Sequence, residues 1–269
     1  MLEPRSGAWD LEPDTVINTG AYKEGKMADF RNSNVRVAPG AHVGAEIDEG
    51  LRAYMLRVYN LMAMGLGITG VAAYGTSALA MNNPAFAQLI YGSPLKWVVM
   101  LAPLAMVFFL SARIEKISVS AAQTSFWVFA GLMGVSLSSI FLVFTGASIT
   151  QTFFITAASF GALSLYGYTT KKDLSAMGSF LMMGLFGLII AMVVNIFLQS
   201  SALQFAISAI GVLIFAGLTA YDTQQIKSMY YESDTEATAG RKAIMGALRL
   251  YLDFINLFMF LLQFLGDRR

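Results

Sequence analysis

Residues 247–266, ALRLYLDFINLFMFLLQFLG, form a nearly unbroken apolar run that is long enough to cross a lipid bilayer. A transmembrane helix needs about 20 predominantly apolar residues. This run belongs to a longer apolar stretch, 243–265, and six stretches of the same character precede it. These six lie at 58–80, 97–112 (with a start near Pro94), 122–144, 152–169, 174–198 and 202–221. The sequence therefore predicts an all-α integral membrane protein with seven hydrophobic helices.

The composition agrees with lipid as the solvent. Of the 269 residues, 56% are hydrophobic and 13% are charged, whereas a soluble domain carries about a quarter charged residues. The chain has no cysteine, which excludes disulfides, thiolate metal sites and cysteine nucleophiles. Its single histidine, His42, lies in the polar N-terminal segment and argues against histidine-based zinc or triad chemistry. A net charge of +1 without a basic cluster gives no sign of nucleic-acid binding.

The N-terminal segment differs from the rest of the chain. We predict a polar, disordered tail over residues 1–45 and a seven-helix membrane domain over residues 46–269. The first 26 residues are acidic and lack an apolar core, so they do not form a signal peptide. Met27 opens a plausible alternative start, which leaves open whether residues 1–26 are native.

The basic residues alternate between loops and predict the orientation. The loops after helices one, three and five contain a single basic residue, Lys96. The loops after helices two, four and six contain Arg113, Lys116, Lys171, Lys172, Lys227, Arg241 and Lys242. By the positive-inside rule these loops and the N-terminus face the cytoplasm. Three hairpins with short external turns then precede a seventh helix. A full crossing by that helix would place Arg268 and Arg269 outside, so a re-entrant helix stays an alternative.

Two carboxylates lie where the membrane makes charge costly. Asp222, in GLTAYDTQQIK, follows the sixth apolar stretch directly and lies about 7 Å of helix before Lys227. Asp253 lies inside the seventh stretch, about 16 Å of helix past Lys242.

Asp253 shares one helical face with other polar side chains. Arg249, Asn256 and Gln263 recur at helical spacing around it, and such a stripe must face protein or water rather than lipid. We therefore expect six helices to surround a central C-terminal helix. Asp222, with Thr219 at i−3, lies on the preceding helix, so the two carboxylates are expected to meet in the cytoplasmic half of a central cavity.

Simpler interpretations of these residues stay open. Asp222 could be an interfacial residue that is exposed to water, and Asp253 could form an i,i+4 ion pair with Arg249. Asn256 and Gln263 could be interhelical contacts without a further role.

A close pair of carboxylates would have defined chemistry. Two such groups in a poorly hydrated site cannot both ionise at low cost, so the pair holds one proton near neutral pH and titrates as a unit. The deprotonated pair offers oxygen ligands to a hard cation such as Ca²⁺. The pattern therefore predicts a pH switch that is coupled to a cation path.

Several strings resemble one family. AYDTQQIK (220–227), RLYLDFINLFMFLLQFLG (249–266) and KKDLS (171–175) resemble the Bax inhibitor-1 (transmembrane Bax-inhibitor-motif) family, especially its bacterial YccA-like branch. The resemblance extends over about residues 50–266 and includes VYNLM (58–62) and GVSLSSIFLVF (134–144). LYLDFINLF is the specific string, whereas the other apolar helices are less distinctive.

The resemblance implies a fold and a function. It implies six helices around a central seventh, in a bacterial inner membrane, and a pH-sensitive Ca²⁺ leak with a di-aspartyl sensor at Asp222 and Asp253. Ca²⁺ is then the permeant ion, and no tightly bound cofactor is expected. Arg113 is the best match for a basic residue that pairs with the helix-six carboxylate. Ser139 stands where some relatives have proline, which leaves the shape of a kink in helix three open.

The resemblance also implies an alternative role, and the aspartates suggest another. YccA-like proteins imply a membrane-embedded modulator or slow substrate of a membrane-bound AAA protease, with the N-terminal tail as its handle. Two aspartates on consecutive helices are also the groups of an intramembrane aspartyl protease. Leu252 and Phe254 flank Asp253, however, in place of a GxGD pattern, and no PAL motif follows. We therefore expect that the protein is not an enzyme.

Overall fold

The computed structural model describes the backbone of residues 39–269 and the side chains of residues 49–269. The main helices are α1 (Pro39–Asn82), α2 (Leu95–Arg113), α3 (Val119–Leu137), α4 (Gly146–Thr169), α5 (Ser175–Leu198), α6 (Ser201–Ser228) and α7 (Glu236–Leu265). Short helical segments, Pro84–Ala87 and Gln88–Gly92, connect α1 to α2, and a further turn, Ile140–Val143, follows α3. Seven helices of the described region are long and apolar enough to cross a membrane. The predicted all-α membrane architecture is confirmed.

The N-terminal boundary lies earlier than the sequence predicted. The backbone of α1 begins at Pro39, inside the segment predicted as a tail, and proline is favoured in the first turn of a helix because its missing N–H has no partner there. The remainder of the predicted tail, residues 1–38, lies outside the described residues.

Polar caps explain why the helices begin before the apolar stretches do. Ser118, Thr145 and Thr235 each accept a hydrogen bond from the backbone N–H three residues further on, at 3.1–3.3 Å. These bonds satisfy N–H groups that have no partner inside the helix. Among these three capped helices the largest difference is at α7, which begins at Glu236, seven residues before the predicted start at residue 243.

The seventh helix is the centre of the fold. α7 packs directly against α1, α3, α4 and α6, while α2 packs against α3 and α5 against α6. Side chains all around α7 are fully buried, among them Leu248, Leu250, Tyr251, Leu257 and Leu262. The prediction of a central C-terminal helix is correct, with four helices in direct contact and two in an outer layer.

α7 runs the full length of the bundle. Near its start, Arg241 Nε donates to the carbonyl of Ile117 in the α2–α3 connection at 3.0 Å. Just past its end, the backbone carbonyl of Asp267 accepts from the backbone N–H of Thr145 in the α3–α4 connection at 3.1 Å. These connections lie at opposite ends of α3, and the 30 residues of α7 span about 45 Å at helical rise. The described residues therefore form one continuous helix along the bundle rather than a re-entrant segment, and α7 is one of the seven candidate membrane spans.

α1 and α3 approach each other closely at one glycine. A Cβ atom added to Gly134 would meet the carbonyl oxygen of Thr69 and, at 2.7 Å, the Cβ of Ala72. A Cβ added to Gly131, one turn earlier on the same helix, would meet nothing within 4 Å. Small residues at such contacts let helix backbones pack closely in lipid.

The first prediction concerns this contact. Gly134→Ala is expected to destabilise the protein by about 1–3 kcal/mol, because the new methyl group has no space against the backbone of α1. Gly131→Ala is the matched control and should leave stability unchanged or slightly raised, since alanine is the better helix former. The thermal midpoint of the detergent-solubilised protein measures both, and equal midpoints would show that the helices do not approach as described.

Candidate functional site

A cavity of about 560 Å³ lies between α5, α6 and α7. Its polar lining consists of Asp222, Arg249, Asp253, Asn256 and Gln263, and its other lining residues are apolar side chains of the same three helices. The four polar residues of α7 form the predicted stripe on one helical face. The stripe faces this cavity, as the cost of placing it in lipid requires.

The two aspartates meet at one wall of the cavity. Asp222 on α6 and Asp253 on α7 lie within reach of a side-chain hydrogen bond to each other. Asp253 is buried, with 5% of its surface exposed, and its Oδ2 has no hydrogen-bond partner among the described residues. Asp222 is partly exposed. Because an ionised carboxylate only accepts hydrogen bonds, a bond between the two requires one of them to carry a proton.

Arg249 does not form the ion pair that one interpretation proposed. Within residues 49–269 the only ion pair closer than 4.0 Å joins Lys242 to Asp234, at 2.6 Å. The side chain of Arg249 is exposed, and its charge acts on both aspartates from a distance. The interpretation of Asp253 as half of a direct i,i+4 ion pair is therefore wrong.

Arg113 lies away from the acidic pair. Its exposed side chain ends α2, which packs in the outer layer against α3 rather than against α6. The expected pairing with Asp222 is not formed, because sequence similarity at the end of a helix does not specify which helix lies next to it.

Two further predicted residues have local roles. The Thr219 hydroxyl is fully buried and donates to the carbonyl of Phe215 at 2.7 Å, so it does not line the cavity beside Asp222. Asn256 Nδ2 donates to the carbonyl of Leu252 at 2.8 Å, and its amide is part of the cavity wall.

The break in helix three forms without a proline. α3 ends at Leu137, and helical structure resumes at Ile140. Between them Ser138, fully buried, donates its hydroxyl to the carbonyl of Val135 at 2.6 Å and contacts the hydroxyl of Tyr91 at 2.8 Å. A serine that bonds back to its own helix bends the helix. Ser139, which the resemblance singled out, directly follows this residue.

The KKDLS and AYDTQQIK strings contact each other. Gln224, two residues after Asp222, accepts from the backbone N–H of Leu174 at 2.9 Å and donates to the carbonyl of Lys172 at 2.8 Å. The side-chain amide therefore holds the α4–α5 connection against α6. The two motifs form one structural unit at the end of the cavity where Asp222 lies.

Asp173 in the same connection has a capping role. Its Oδ1 accepts from the backbone N–H of Ser175 at 2.8 Å. Hydrogen bonds from the side chain and then the backbone of Ser175 hold the pKa of Asp173 below its ordinary value. A lowered pKa means that this contact stabilises the fold above the ordinary carboxyl pKa and is lost as the pH falls through the folded value.

Sequence reasoning missed two residues at the opposite end of the cavity. Gln204 Nε2 on α6 donates to Gln263 Oε1 at 2.6 Å, and Asn195 Nδ2 on α5 donates to Gln204 Oε1 at 3.1 Å. Each is an isolated amide near the end of an apolar helix. The one available signal was their polarity within apolar stretches, which does not by itself predict that they meet.

Comparison with known proteins gives consistent matches. The family model described as inhibitor of apoptosis-promoting Bax1 matches residues 51–269. An uncharacterized protein of Rickettsia prowazekii is 51% identical over 222 residues, which cover 82% of this chain and 92% of that protein. Inner membrane protein YbhL of Escherichia coli is 47% identical over 223 residues, 82% of this chain and 94% of its own. An uncharacterized protein of Caulobacter vibrioides is 46% identical over 249 residues, 90% of this chain and all of its own.

The second prediction concerns the cost of the acidic pair. Asp253→Asn and Asp222→Asn are each expected to raise the thermal midpoint at pH 8 by about 2–4 °C, the effect of about 1 kcal/mol in a domain of this size. Each variant leaves a single carboxyl group, so that a second negative charge can no longer form beside the first, and it supplies an N–H donor to the remaining carboxylate. Asp173→Asn, at an exposed position, is the control. A lower midpoint in both variants would mean that the paired charges stabilise the fold.

Proposed function

Because the chain belongs to the Bax inhibitor-1 family, we propose that this multi-pass membrane protein is a pH-sensitive calcium leak channel with Asp222 and Asp253 as its sensor. One observation carries the proposal: two carboxyl groups from consecutive helices lie within hydrogen-bond reach at the wall of a cavity, and one of them is buried.

Sharing a proton gives the pair two states. With one proton, the carboxyl groups bond to each other and hold α6 against α7. Without it, two like charges repel each other across the same wall, and their oxygens become ligands for a cation. The two groups titrate as one unit, so each is needed for the pH response.

The ligands in the cavity suit an ion that permeates better than an ion that is bound tightly. Ca²⁺ takes about six to eight oxygen ligands, and the cavity offers two carboxylates together with the amide of Asn256. Within residues 49–269 no cluster of three or more acidic, histidine or cysteine side chains occurs. Water must supply most of the ligands of a Ca²⁺ ion in this cavity, which suits the proposed role of Ca²⁺ as a permeant ion.

The orientation follows from the charges at the two ends of the bundle. By the positive-inside rule, a cytoplasmic position of that end and of the N-terminus is favoured by four basic residues: Arg241 and Lys242 at the start of α7, and Lys171 and Lys172 in the α4–α5 connection. The membrane is the bacterial inner membrane, by analogy with the inner membrane protein YbhL. Asp222 then lies in the cytoplasmic half of the bilayer, and the lipid bilayer, Ca²⁺ and protons are the partners.

The third prediction tests the sensor. Ca²⁺ efflux from proteoliposomes is expected to differ between pH 6 and pH 8 for the wild-type protein, and the ratio of the two rates should approach one in Asp222→Asn and in Asp253→Asn. Asp173→Asn keeps a capping oxygen, lies outside the cavity and should retain the wild-type ratio. Unchanged pH dependence in both cavity variants removes the sensor assignment, and the absence of Ca²⁺ efflux removes the channel.

A second candidate function uses the polar N-terminal segment, which precedes the family match that begins at residue 51. We propose as the alternative that this segment is the handle through which the protein modulates, or is slowly degraded by, a membrane-bound AAA protease. The two functions do not exclude each other, because they use different parts of the chain.

The fourth prediction separates the two functions. Deletion of residues 1–38, which leaves α1 from Pro39 onward, should abolish co-purification with the protease and leave Ca²⁺ efflux unchanged. A Gly/Ser segment of equal length in place of residues 1–38 is the control for the loss of length. Continued association after both changes contradicts a role for the tail. Cleavage of a model transmembrane substrate would instead indicate an aspartyl protease, and we expect none.

A further inference from the structure

A chain of amide hydrogen bonds joins α5, α6 and α7 at one end of the cavity. The backbone N–H of Ser200 donates to Asn195 Oδ1 at 3.0 Å, and Asn195 Nδ2 donates to Gln204 Oε1 at 3.1 Å. Gln204 Nε2 then donates to Gln263 Oε1 at 2.6 Å, and the Ser208 hydroxyl contacts the same oxygen at 3.4 Å. The side-chain oxygens of Asn195, Gln204 and Gln263 thus each accept a hydrogen bond.

The amide chain lies at the end of the cavity opposite the acidic pair. Gln263 is ten residues beyond Asp253 on α7, about 15 Å at helical rise, and it lines the same cavity. Asn195 lies just before the short α5–α6 connection, and Gln204 just after it. The three helices that supply the amides are also the three that bound the cavity.

A cation moving along the cavity from Asp253 reaches these amides last. As they stand, each oxygen accepts a hydrogen bond from a neighbouring donor, which competes with a cation for it. If the Gln204–Gln263 hydrogen bond opens, the released amide oxygens become ligands of the type that Ca²⁺ accepts. The same groups therefore close the cavity in one arrangement and assist passage in the other.

We propose that Asn195, Gln204 and Gln263 form an outer amide seal, which is the barrier to cation passage at the end of the cavity away from Asp222 and Asp253. The proposal rests on the calcium leak proposed above and adds to it a barrier separate from the sensor. The amides are neutral at every pH in which the protein is folded. Their removal should therefore raise the rate of passage without changing its pH dependence.

The absence of cysteine from the chain provides a test that does not depend on flux. Met259 lines the cavity between Asp253 and Gln263, so Met259→Cys introduces a single thiol behind the seal. In spheroplasts a membrane-impermeant maleimide added outside should label this thiol slowly, and Gln263→Ala or Gln204→Ala in the same protein should speed labelling at least tenfold. Gln225→Ala, an amide at the other end of α6, is the matched control and should leave the labelling rate unchanged.

Calcium efflux from proteoliposomes is measured on the same seal variants without the cysteine. Gln263→Ala should raise the efflux rate severalfold and keep the wild-type ratio between pH 6 and pH 8. Faster labelling without calcium efflux supports the seal and contradicts the calcium leak. If the wild-type efflux depends on pH but both seal variants label and conduct at the wild-type rates, the proposed seal is wrong. The proposed calcium leak is then unaffected. Gln263→Ala and Gln204→Ala each remove one partner of the same hydrogen bond. If one of the two variants does not fold, the other is therefore sufficient to test the seal.

Discussion

The fold depends on keeping the polar stripe of α7 out of lipid. A charged side chain at the centre of a bilayer costs about 3 kcal/mol or more, and Arg249 and Asp253 lie on a helix whose other faces are apolar. Packing α1, α3, α4 and α6 around α7 buries the apolar faces and leaves the stripe facing a cavity. The remaining helices, α2 and α5, pack on this inner group. The position of the helix and the existence of the cavity are thus consequences of one constraint.

Hydrogen bonds beside the acidic pair hold α6 in a defined position. Gln224 fixes the α4–α5 connection through two backbone hydrogen bonds, and Lys227 donates to the carbonyl of Tyr168 at 2.8 Å at the end of α4. Both residues follow Asp222 on α6 and hold that part of the helix in place. Under the proposed sensor function, repulsion between the two carboxylates would therefore act on α7 and the cavity rather than on this part of α6.

Hydropathy and the polar stripe predicted much of this arrangement from the sequence. Apolar stretches located all seven helices, and Arg249, Asp253, Asn256 and Gln263 at helical spacing predicted the face that lines the cavity. Helix ends were less accurate because capping residues such as Thr235 lie in polar sequence. The partner of Arg113 could not be predicted, since neighbours in a bundle are decided by packing of whole helices. Asn195 was missed because a single amide in an apolar helix forms no periodic sequence pattern.

The cavity face of α7 changes from charged to neutral along the helix. Arg249 and Asp253 face the cavity first, and beyond Asn256 the cavity-facing polar group is the neutral amide of Gln263. Asp222 and Asp253 lie where α6 meets α7 at one end of the cavity, and Gln204 and Gln263 join the same two helices at the far end. The first pair is titratable, whereas the second is neutral at every pH. Under the two proposals a change of pH therefore acts on the carboxyl pair, and the amide pair sets a barrier that does not itself change with pH.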